Sequence, residues 1–397
     1  MNNITITTPM QHRCNTTIPS GWKIKTLDQI GTFLKGKGIT KSEIVETGKP
    51  CIRYGQIYSE YNYFVEEFKS FINDISAKNS NPIFKNDLLF AGSGETLEDI
   101  GKCVAYIKSD EAYAGGDIII LRPHSEDAHY LGYLLNSDEV KKQTFKLGQG
   151  HSVVHIYSSS LKNLKITLPL YQEQQKIAQI LSTWDKAIVL QQKLIIQKQQ
   201  NKKAIMKKLL TGEVRFKGFT EEWNEVRIKD TLKYERPDKY IVESDVYSDE
   251  HITPVLTANK SFILGYTNEN EGIYSNFPII LFDDFTTDNK FVDFPFKIKS
   301  SAIKILNITN EKFDLKFIFE RMQIFNFPKE EHKRYYISEY QYLKFKCPEF
   351  NEQKKIATYS VAIDQEINAL QKQLIAMQEQ KKGLMQQLLT GKLRVKI

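Results

Sequence analysis

The segment that opens with Glu173-Gln-Gln-Lys-Ile-Ala178 and closes with Leu209-Leu-Thr-Gly-Glu-Val-Arg-Phe-Lys217 is written twice in this chain. The second copy opens with Glu352-Gln-Lys-Lys-Ile-Ala357 and closes with Leu388-Leu-Thr-Gly-Lys-Leu-Arg-Val-Lys396, at a constant offset of 179 residues and without a gap. A long internal repeat predicts two copies of one structural unit. The absence of any gap indicates that the length of the segment matters.

Both copies have the periodicity of a long helix. Apolar residues recur in alternating steps of four and three for about five heptads, with Gln, Lys and Glu between them, which is typical of a coiled coil. Pro169 and Pro348 mark the starts, and Gly212 and Gly391 stand where a helix is capped at its end. The predicted seam, along which the two helices pair with each other, contains Ile177, Leu181, Trp184, Ile188, Ile195, Ile205 and Leu209 in the first copy and Ile356, Ile363, Ile367, Leu370, Leu374, Leu384 and Leu388 in the second.

Polar residues interrupt this seam. Gln191, Lys198 and Ser360 occur in one copy only, whereas Lys202 and Lys381 occupy the same position of the repeat. Long lysine side chains can reach out of an imperfect seam to solvent. Alternatively, polar seam residues fix the register or meet an outside partner.

Composition limits the function classes. A chain of 397 residues with 41% hydrophobic content is long enough for two or three domains. It has no apolar run approaching the ~20 residues of a membrane span, and its start has no pattern of a secretion signal. The four cysteines are scattered without metal-binding spacing, so we expect a cytoplasmic protein with reduced thiols and no metal site.

The net charge of +7 is unevenly distributed. Basic residues exceed acidic ones by 1 in residues 1–170, by 7 in 171–217 and by 4 in 351–397, whereas acidic residues are in excess by 5 in 218–350. A protein that binds nucleic acid mainly through its phosphates is expected to be basic on its globular face. A nucleic-acid ligand would therefore require help from the helices, from local clusters or from a partner.

Four segments follow along the chain. Residues 1–168 form a first globular domain, 169–217 a first spacer helix, 218–347 a second globular domain and 348–397 a second spacer helix. The two globular domains hardly match each other in sequence, so the helical scaffold is duplicated and the domains are not. We predict an α+β protein in which two globular domains are separated by two long antiparallel helices that form a coiled coil, with a pseudo-two-fold internal repeat.

Each globular domain is predicted to contain a mostly antiparallel sheet, from apolar runs bounded by Gly, Pro, Asn or Asp. Helices are expected over Tyr130–Lys141 and Leu315–Phe325. The predicted strands are Pro50–Tyr54, Leu88–Ala91, Cys103–Ile107, Asp117–Arg122 and Leu164–Leu168 in the first domain and Ile279–Phe282, Phe294–Ile298, Ala302–Leu306 and Leu343–Lys346 in the second.

With these motifs, nearly the whole chain from Trp22 onward resembles the specificity subunits of type I restriction-modification enzymes. The resemblance is carried by the two Glu-Gln-x-Lys-Ile-Ala starts, the two Leu-Leu-Thr-Gly ends, the restart Phe216–Trp223, and the segments Gly48–Gly55, Asp87–Thr96, Gly115–Ile120, Gly148–Ser152 and Asp283–Thr287. At the opening the family pattern is not matched, because Thr17-Ile-Pro-Ser-Gly stands where Phe-x-Gly-Phe is expected.

The resemblance implies a non-catalytic subunit that recognises double-stranded DNA. Each globular domain would be a target-recognition domain for one half of a bipartite, asymmetric site, and the paired helices would set the spacer and dock two methyltransferase subunits. S-adenosylmethionine, Mg²⁺ and ATP would be bound by partner subunits, the last by restriction and translocation subunits. No cofactor is expected on this chain.

Candidate DNA contacts lie in the unmatched domains, within segments rich in Gly, basic or amide residues. Arginine can bind guanine and glutamine adenine through paired hydrogen bonds, glycine lets the backbone approach phosphate, and a basic run beside tyrosines suits phosphate positioning. A solvated turn or charge run is the alternative in each case. The candidates are Arg53, Tyr54, Gln56, Ser93, Glu95, Gln149, His151 and Ser152 in the first domain and Thr257, Asn259, Lys260, Thr286, Thr287, His332, Lys333 and Arg334 in the second.

Other functions find weaker support. No glycine-rich loop has the spacing of a nucleotide-binding site, and Asn81–Phe84 lies too close before Asp87–Gly94 for a methyltransferase catalytic loop and cofactor loop, since a βαβ crossover needs a dozen or more residues. His151 and His155 have the spacing of two metal ligands on a helix, yet their segment reads as extended. The main alternative is a coiled-coil scaffold whose domains bind protein or carbohydrate.

Overall fold

The computed structural model describes residues 18–94, 100–148, 154–258, 261–328 and 333–396. The chain is α+β, as predicted, and it divides into two compact units. Unit 1 comprises the described residues up to Leu190 together with those from Leu374 onward, and unit 2 comprises Gln191–Gln373. Each unit therefore holds one globular domain, the beginning of one long helix and the end of the other.

Unit 1 is built around two five-stranded sheets. Its helices are Leu27–Ile30 (α1), Tyr54–Ser59 (α2), Asp74–Asn79 (α3), Ala128–Leu134 (α4), Asp138–Phe145 (α5), Ser158–Lys162 (α6) and the first part of Tyr171–Thr211 (α7), with a 3-10 turn at Lys41–Glu43. Its strands are Lys23–Thr26 (β1), Gly31–Lys35 (β2), Ile44–Val45 (β3), Lys49–Ile52 (β4), Phe64–Val65 (β5), Ser70–Ile72 (β6), Asn81–Ile83 (β7), Leu88–Ala91 (β8), Ser93–Gly94 (β9), Cys103–Tyr106 (β10), Ala112–Ala114 (β11), Ile118–Pro123 (β12), Val154–His155 (β13) and Lys165–Leu168 (β14).

The first sheet of unit 1 has the order β2-β12-β8-β10-β5 and the second the order β3-β6-β4-β11-β7. Most neighbours are antiparallel, but β10 with β5 and β11 with β4 are parallel. Strand β8 is buried along its whole length, because both faces of the first sheet are covered. Because their two faces are both covered, β8, β10 and β12 consist of nearly continuous apolar runs.

Unit 2 has a smaller version of the same plan. Its helices are Ile228–Thr231 (α8), Leu315–Met322 (α9) and the first part of Phe350–Leu389 (α10), with 3-10 turns at Asp238–Tyr240 and Tyr340–Tyr342. Its strands are Asn224–Arg227 (β15), Leu232–Glu235 (β16), Thr253–Leu256 (β17), Ile263–Thr267 (β18), Ile279–Asp283 (β19), Asn289–Val292 (β20), Lys297–Ile298 (β21), Ile303–Ile308 (β22) and Lys344–Cys347 (β23). They form sheets of order β16-β22-β19-β20 and β18-β17-β21.

Two local predictions were wrong. The helix predicted over Tyr130–Lys141 is two helices, because the Asn136 side chain binds the carbonyls of Cys103 and Gly132 and Ser137 caps a new helix. The strand predicted over Phe294–Ile298 is reduced to β21, with Phe296 making only an isolated bridge to Tyr274.

The long helices α7 and α10 contain 41 and 40 residues and are antiparallel. In unit 1, the start of α7 packs with the end of α10 and with the domain core through Ile177, Leu181 and Leu388. In unit 2, the end of α7 and the start of α10 do the same through Leu209 and Ile356. Every predicted seam residue is buried or partly buried.

The polar seam residues have partners within the protein. Lys202 Nζ lies 2.6 Å from Asp364 Oδ1, and Lys381 Nζ lies 2.5 Å from Asp185 Oδ1. Lys381 is only 7% exposed, so its ammonium group does not reach out to solvent.

The repeated Glu-Gln pair at each helix start has a structural role. Glu173 is fully buried and accepts hydrogen bonds from Trp22 Nε1 at 3.2 Å and from Arg394 Nε and Nη2 at 2.7 and 2.9 Å. Gln174 accepts a bond from the backbone N–H of Asp127, the residue that caps α4. In unit 2, Glu352 likewise accepts hydrogen bonds from Trp223 and Arg215. Gln353 accepts one from the backbone N–H of Asp314. The motif thus ties each domain to both helices.

No helix among the described residues has a stretch that is both long enough and apolar enough to span a bilayer.

Candidate nucleic-acid interface

The two domains place their candidate residues at corresponding points of the fold. In the first sheets, β8 lies between β12 and β10, and β19 lies between β22 and β20, with antiparallel pairing throughout. In the second sheets, β4 pairs in parallel with β11, and β17 pairs in parallel with β21. Ser93 and Thr286 thus follow equivalent strands, and so do Arg53 and Thr257.

In unit 1, Arg53 and Tyr54 line a groove. The strand predicted to reach Tyr54 ends at Ile52, and the short helix α2 follows it with Arg53 as its N-cap residue. Arg53 Nε is buried and has no hydrogen-bond partner among the described residues, whereas Tyr54 is 37% exposed. The groove has a volume of about 700 Å³ and is also lined by Lys41 and Lys69. Cations and an exposed ring at one groove suit a phosphate or a base.

Gln56 is used inside the domain. Its amide oxygen accepts a bond from the Arg53 N–H at 2.9 Å, and its amide nitrogen donates to Ser70 Oγ at 2.8 Å. The side chain is 6% exposed. In this arrangement it fixes the backbone of Arg53 at the start of α2. Next to Arg53, burial raises the pKa of the Cys51 thiol to about 11.

Ser93 lies close to this groove, since β9 contacts α2. Its hydroxyl is 2.9 Å from His155 Nδ1 and its side chain is buried. The β9 residue Gly94 pairs with Val154 of β13. Four candidates in the adjoining segments, Glu95, Gln149, His151 and Ser152, lie outside the described residues.

In unit 2, two candidate segments meet. The carboxylate of Asp283 accepts the N–H groups of Phe285 and Thr286, which turns the chain after β19, and Thr287 has a positive φ of 57°. The neighbouring Asp284 accepts the Tyr336 N–H at 2.7 Å. The segment Lys333–Tyr336 is thereby held against the turn.

Arg334 is exposed, and its guanidinium lies 5.4 Å from the ring centroid of Phe285, which is 40% exposed. Tyr335 and Tyr336, in contrast, are buried, and burial raises the pKa of the Tyr336 hydroxyl. The predicted basic and aromatic run therefore divides into an outward cation and inward aromatics. Thr287 also lines a polar groove of about 340 Å³ with Asn289, Gln323 and Asn326.

Thr257 lies at the tip of the β17–β18 hairpin, where its backbone N–H bonds to the Phe262 carbonyl at 2.9 Å. Asn259, Lys260 and His332 lie outside the described residues. Whether any of these residues contacts DNA stays a prediction. The sequence did not point to Lys41, Lys69 and Phe285, which lie beside the candidate residues, because isolated residues in short turns and loops carry no periodic signal. In the described part of the chain, no group of three or more His, Cys, Asp or Glu side chains has the arrangement of a metal site.

Comparison with known proteins finds similarity to specificity subunits of type I restriction enzymes. Residues 19–198 match the family model described as the type I restriction modification DNA specificity domain. The specificity subunit of the type I restriction enzyme EcoR124I/EcoR124II from Escherichia coli is 44% identical over 168 residues, which cover 40% of this chain and 41% of that protein. The putative type I restriction enzyme MjaX specificity subunit from Methanocaldococcus jannaschii is 28% identical over 411 residues, covering 96% of this chain and 95% of that protein.

Solved structures share the fold over nearly the whole chain. The S subunit of a type I restriction-modification system from M. genitalium superposes with a TM-score of 0.58 at 16% identity and covers 96% of this chain and 98% of its own. The HsdS subunit from Thermoanaerobacter tengcongensis gives a TM-score of 0.52 at 14% identity, covering 96% of this chain and 100% of its own.

Proposed function

We propose that this chain is a DNA specificity subunit of a type I restriction-modification system and that it recognises a bipartite, asymmetric site in double-stranded DNA, with one half-site read by each globular domain. The observation that supports this most is that equivalent strands, β8 with β19 and β4 with β17, are followed by different side chains in the two domains. Two domains of one fold with different surfaces are expected to read two different sequences.

In unit 1 we assign direct base or phosphate contact to Arg53 and Tyr54, and in unit 2 to Thr286 and Arg334. The Arg53 guanidinium can bind a guanine of the DNA through two hydrogen bonds. Arg334 is exposed beside Phe285, so phosphate contact and stacking are both open to it. Phosphate contacts fix the position of the domain on the duplex and base contacts select the sequence.

The helix pair sets the spacer between the half-sites in this proposal. Helix α7 has 41 residues and a length of about 60 Å at about 1.5 Å per residue. Half-sites one turn of DNA apart are separated by about 34–36 Å, which lies within this length. An insertion in one helix would move one domain along the duplex and change the spacer. A repeat without gaps is therefore expected in this proposal.

Two methyltransferase subunits docked on the helices would carry S-adenosylmethionine and the chemistry, and restriction and translocation subunits with Mg²⁺ and ATP would add cleavage. This chain then contributes recognition alone. Purified without partners, it should show no methylation or cleavage of DNA when Mg²⁺ and S-adenosylmethionine are added.

Selection from random duplex pools tests the proposal. The chain assembled with its methyltransferase should enrich one split motif with a fixed spacer, and sequencing of methylated bases in a host carrying both genes should return the same motif. Enrichment of no split motif would contradict the proposal and favour a scaffold that binds protein or carbohydrate.

The spacer role has its own test. Four residues inserted in helical phase near Gln199 add about 6 Å to α7, equivalent to at most about two base pairs at 3.4 Å each. The selected motif should then keep both halves and change its spacer, whereas the point variant Gln199→Ala should keep the original spacer. An unchanged spacer after the insertion would refute this role.

A further inference from the structure

Each unit contains one Lys–Asp ion pair whose lysine lies in the helix seam. Lys381 and Asp185 form it in unit 1, and Lys202 and Asp364, each at the repeat offset of 179 residues, form it in unit 2. Both pairs are only partly buried, with the Asp185 and Asp364 side chains 33% and 38% exposed, and an ion pair of this kind contributes little to stability by itself. Stability alone therefore does not account for an ion pair at both repeated positions.

In unit 1 the domain binds this pair directly. The hydroxyl of Tyr133, on helix α4, donates to Asp185 Oδ2 at 2.6 Å. Lys381 Nζ lies 4.4 Å from the ring centroid of Tyr63 and 5.4 Å from that of Tyr133. One aspartate thus accepts from the opposite long helix and from the domain at the same time.

In unit 2 a different set of domain residues makes the corresponding contact. Glu320, on helix α9, is 6% exposed and accepts the Ser360 hydroxyl at 2.6 Å, with Lys202 Nζ at 3.7 Å. Lys316 of the same helix lies 2.9 Å from Glu320 and 3.6 Å from Asp364. The seam position of Ser360 corresponds to Leu181 in the other copy, so its hydroxyl serves the contact with this domain.

We propose that the two Lys–Asp pairs and their domain partners, Tyr133 in unit 1 and Glu320 in unit 2, are positioning residues. They fix the rotation of each recognition domain about the helix pair and thereby select the length of the DNA spacer. This inference rests on the proposed function. Apolar contacts between a domain and a helix tolerate small rotations. Charge-assisted hydrogen bonds are directional, so few orientations of α4 or α9 satisfy the pair. The repeated pair supplies a common reference to which unlike domains attach.

Tyr133→Phe provides a sharp test, since it removes one hydroxyl and keeps both the ring and the Lys381–Asp185 bond. Tyr130→Phe is the matched control on the same helix, because the Tyr130 hydroxyl is buried without a hydrogen-bond partner among the described residues. Each variant is assembled with the methyltransferase. Methylation rates are then measured on duplexes that carry the split motif of the wild type with its spacer, or with a spacer one base pair shorter or longer.

We expect Tyr133→Phe to raise the rate on altered spacers, relative to the correct one, by roughly tenfold, the equivalent of one charge-assisted hydrogen bond. Tyr130→Phe should keep the wild-type ratio, and both variants should keep the preference for each half-motif. Thermal unfolding of the same complexes separates a change of position from a loss of stability.

A wild-type spacer ratio in Tyr133→Phe, with or without a lower unfolding temperature, would overturn the positioning role. If that variant fails to assemble, Glu320→Gln decides in the same way: a relaxed spacer ratio supports the proposal and a wild-type ratio overturns it. A wild-type complex that methylates no split motif would instead refute the proposed function itself, and the positioning role with it.

Discussion

Replacing Leu181 by alanine tests whether the seam joins the helices to the first domain as the packing indicates. Leu181 is fully buried in the core of unit 1, which contains residues of the domain, of α7 and of the end of α10. Replacing a buried leucine by alanine lowers the free energy of unfolding by about 2.7–5.0 kcal/mol, because the protein fills the resulting cavity only in part. We expect Leu181→Ala to lower the free energy of unfolding by about 3 kcal/mol. If that free energy falls by about 3 kcal/mol per molar urea, the urea midpoint of unit 1 decreases by roughly 1 M.

Leu190→Ala is the matched control, with the same chemical change on the same helix. Leu190 is 66% exposed, so the free energy of unfolding should change by at most about 0.5 kcal/mol. Urea unfolding of the isolated chain, followed by tryptophan fluorescence and far-UV circular dichroism, measures both variants. Equal shifts in the two variants, or a larger shift for Leu190→Ala, would show that the start of α7 is not packed in this core.

Three further outcomes are expected. Glu173→Ala should lower the urea midpoint more than Glu366→Ala, because the first leaves Arg394 and an indole N–H without their buried acceptor, whereas Glu366 and its partner are both partly exposed. The reverse order would contradict the structural role of the Glu-Gln pair at the helix start. Burial raises the pKa of the Cys51 thiol to about 11 and that of the Cys347 thiol to about 12. In a Cys14→Ser variant, the remaining thiols should therefore react slowly with a disulfide reagent from about pH 7 to 9, the range in which an exposed thiol of pKa about 8.5 forms its reactive thiolate. A thiol that reacts fast in the native variant would refute this. Arg53→Ala should weaken recognition of one half-motif by about 1–3 kcal/mol in the selection assay, and a uniform loss over all sequences would reassign Arg53 to phosphate contact.

The long helices could be predicted from the sequence because their signal is local. A seam repeats every three or four residues over some forty positions, so no single exception obscures it. Shorter elements gave a weaker signal. The helix predicted from Tyr130 onward ends at Leu134, because Asn136 finds two carbonyl partners, one of them more than thirty residues away in sequence.

The chemistry of the seam was decided by tertiary structure. The sequence marked Lys202 and Lys381 as exceptions, but it left open whether they pair inside or reach outward. Their partners, Asp364 and Asp185, are more than 160 residues distant in the chain.

The sequence by itself determined a duplicated helical scaffold and two unlike domains, since periodicity and repetition are properties of residues near one another. Only the tertiary structure placed Arg53 and Thr257, or Ser93 and Thr286, at equivalent points of the fold. These equivalences depend on which strands become neighbours, and strand pairing joins distant residues through backbone hydrogen bonds that any side chain permits. Similar backbones in the two domains therefore carry unlike residues, and a sequence comparison finds no match where the structures correspond.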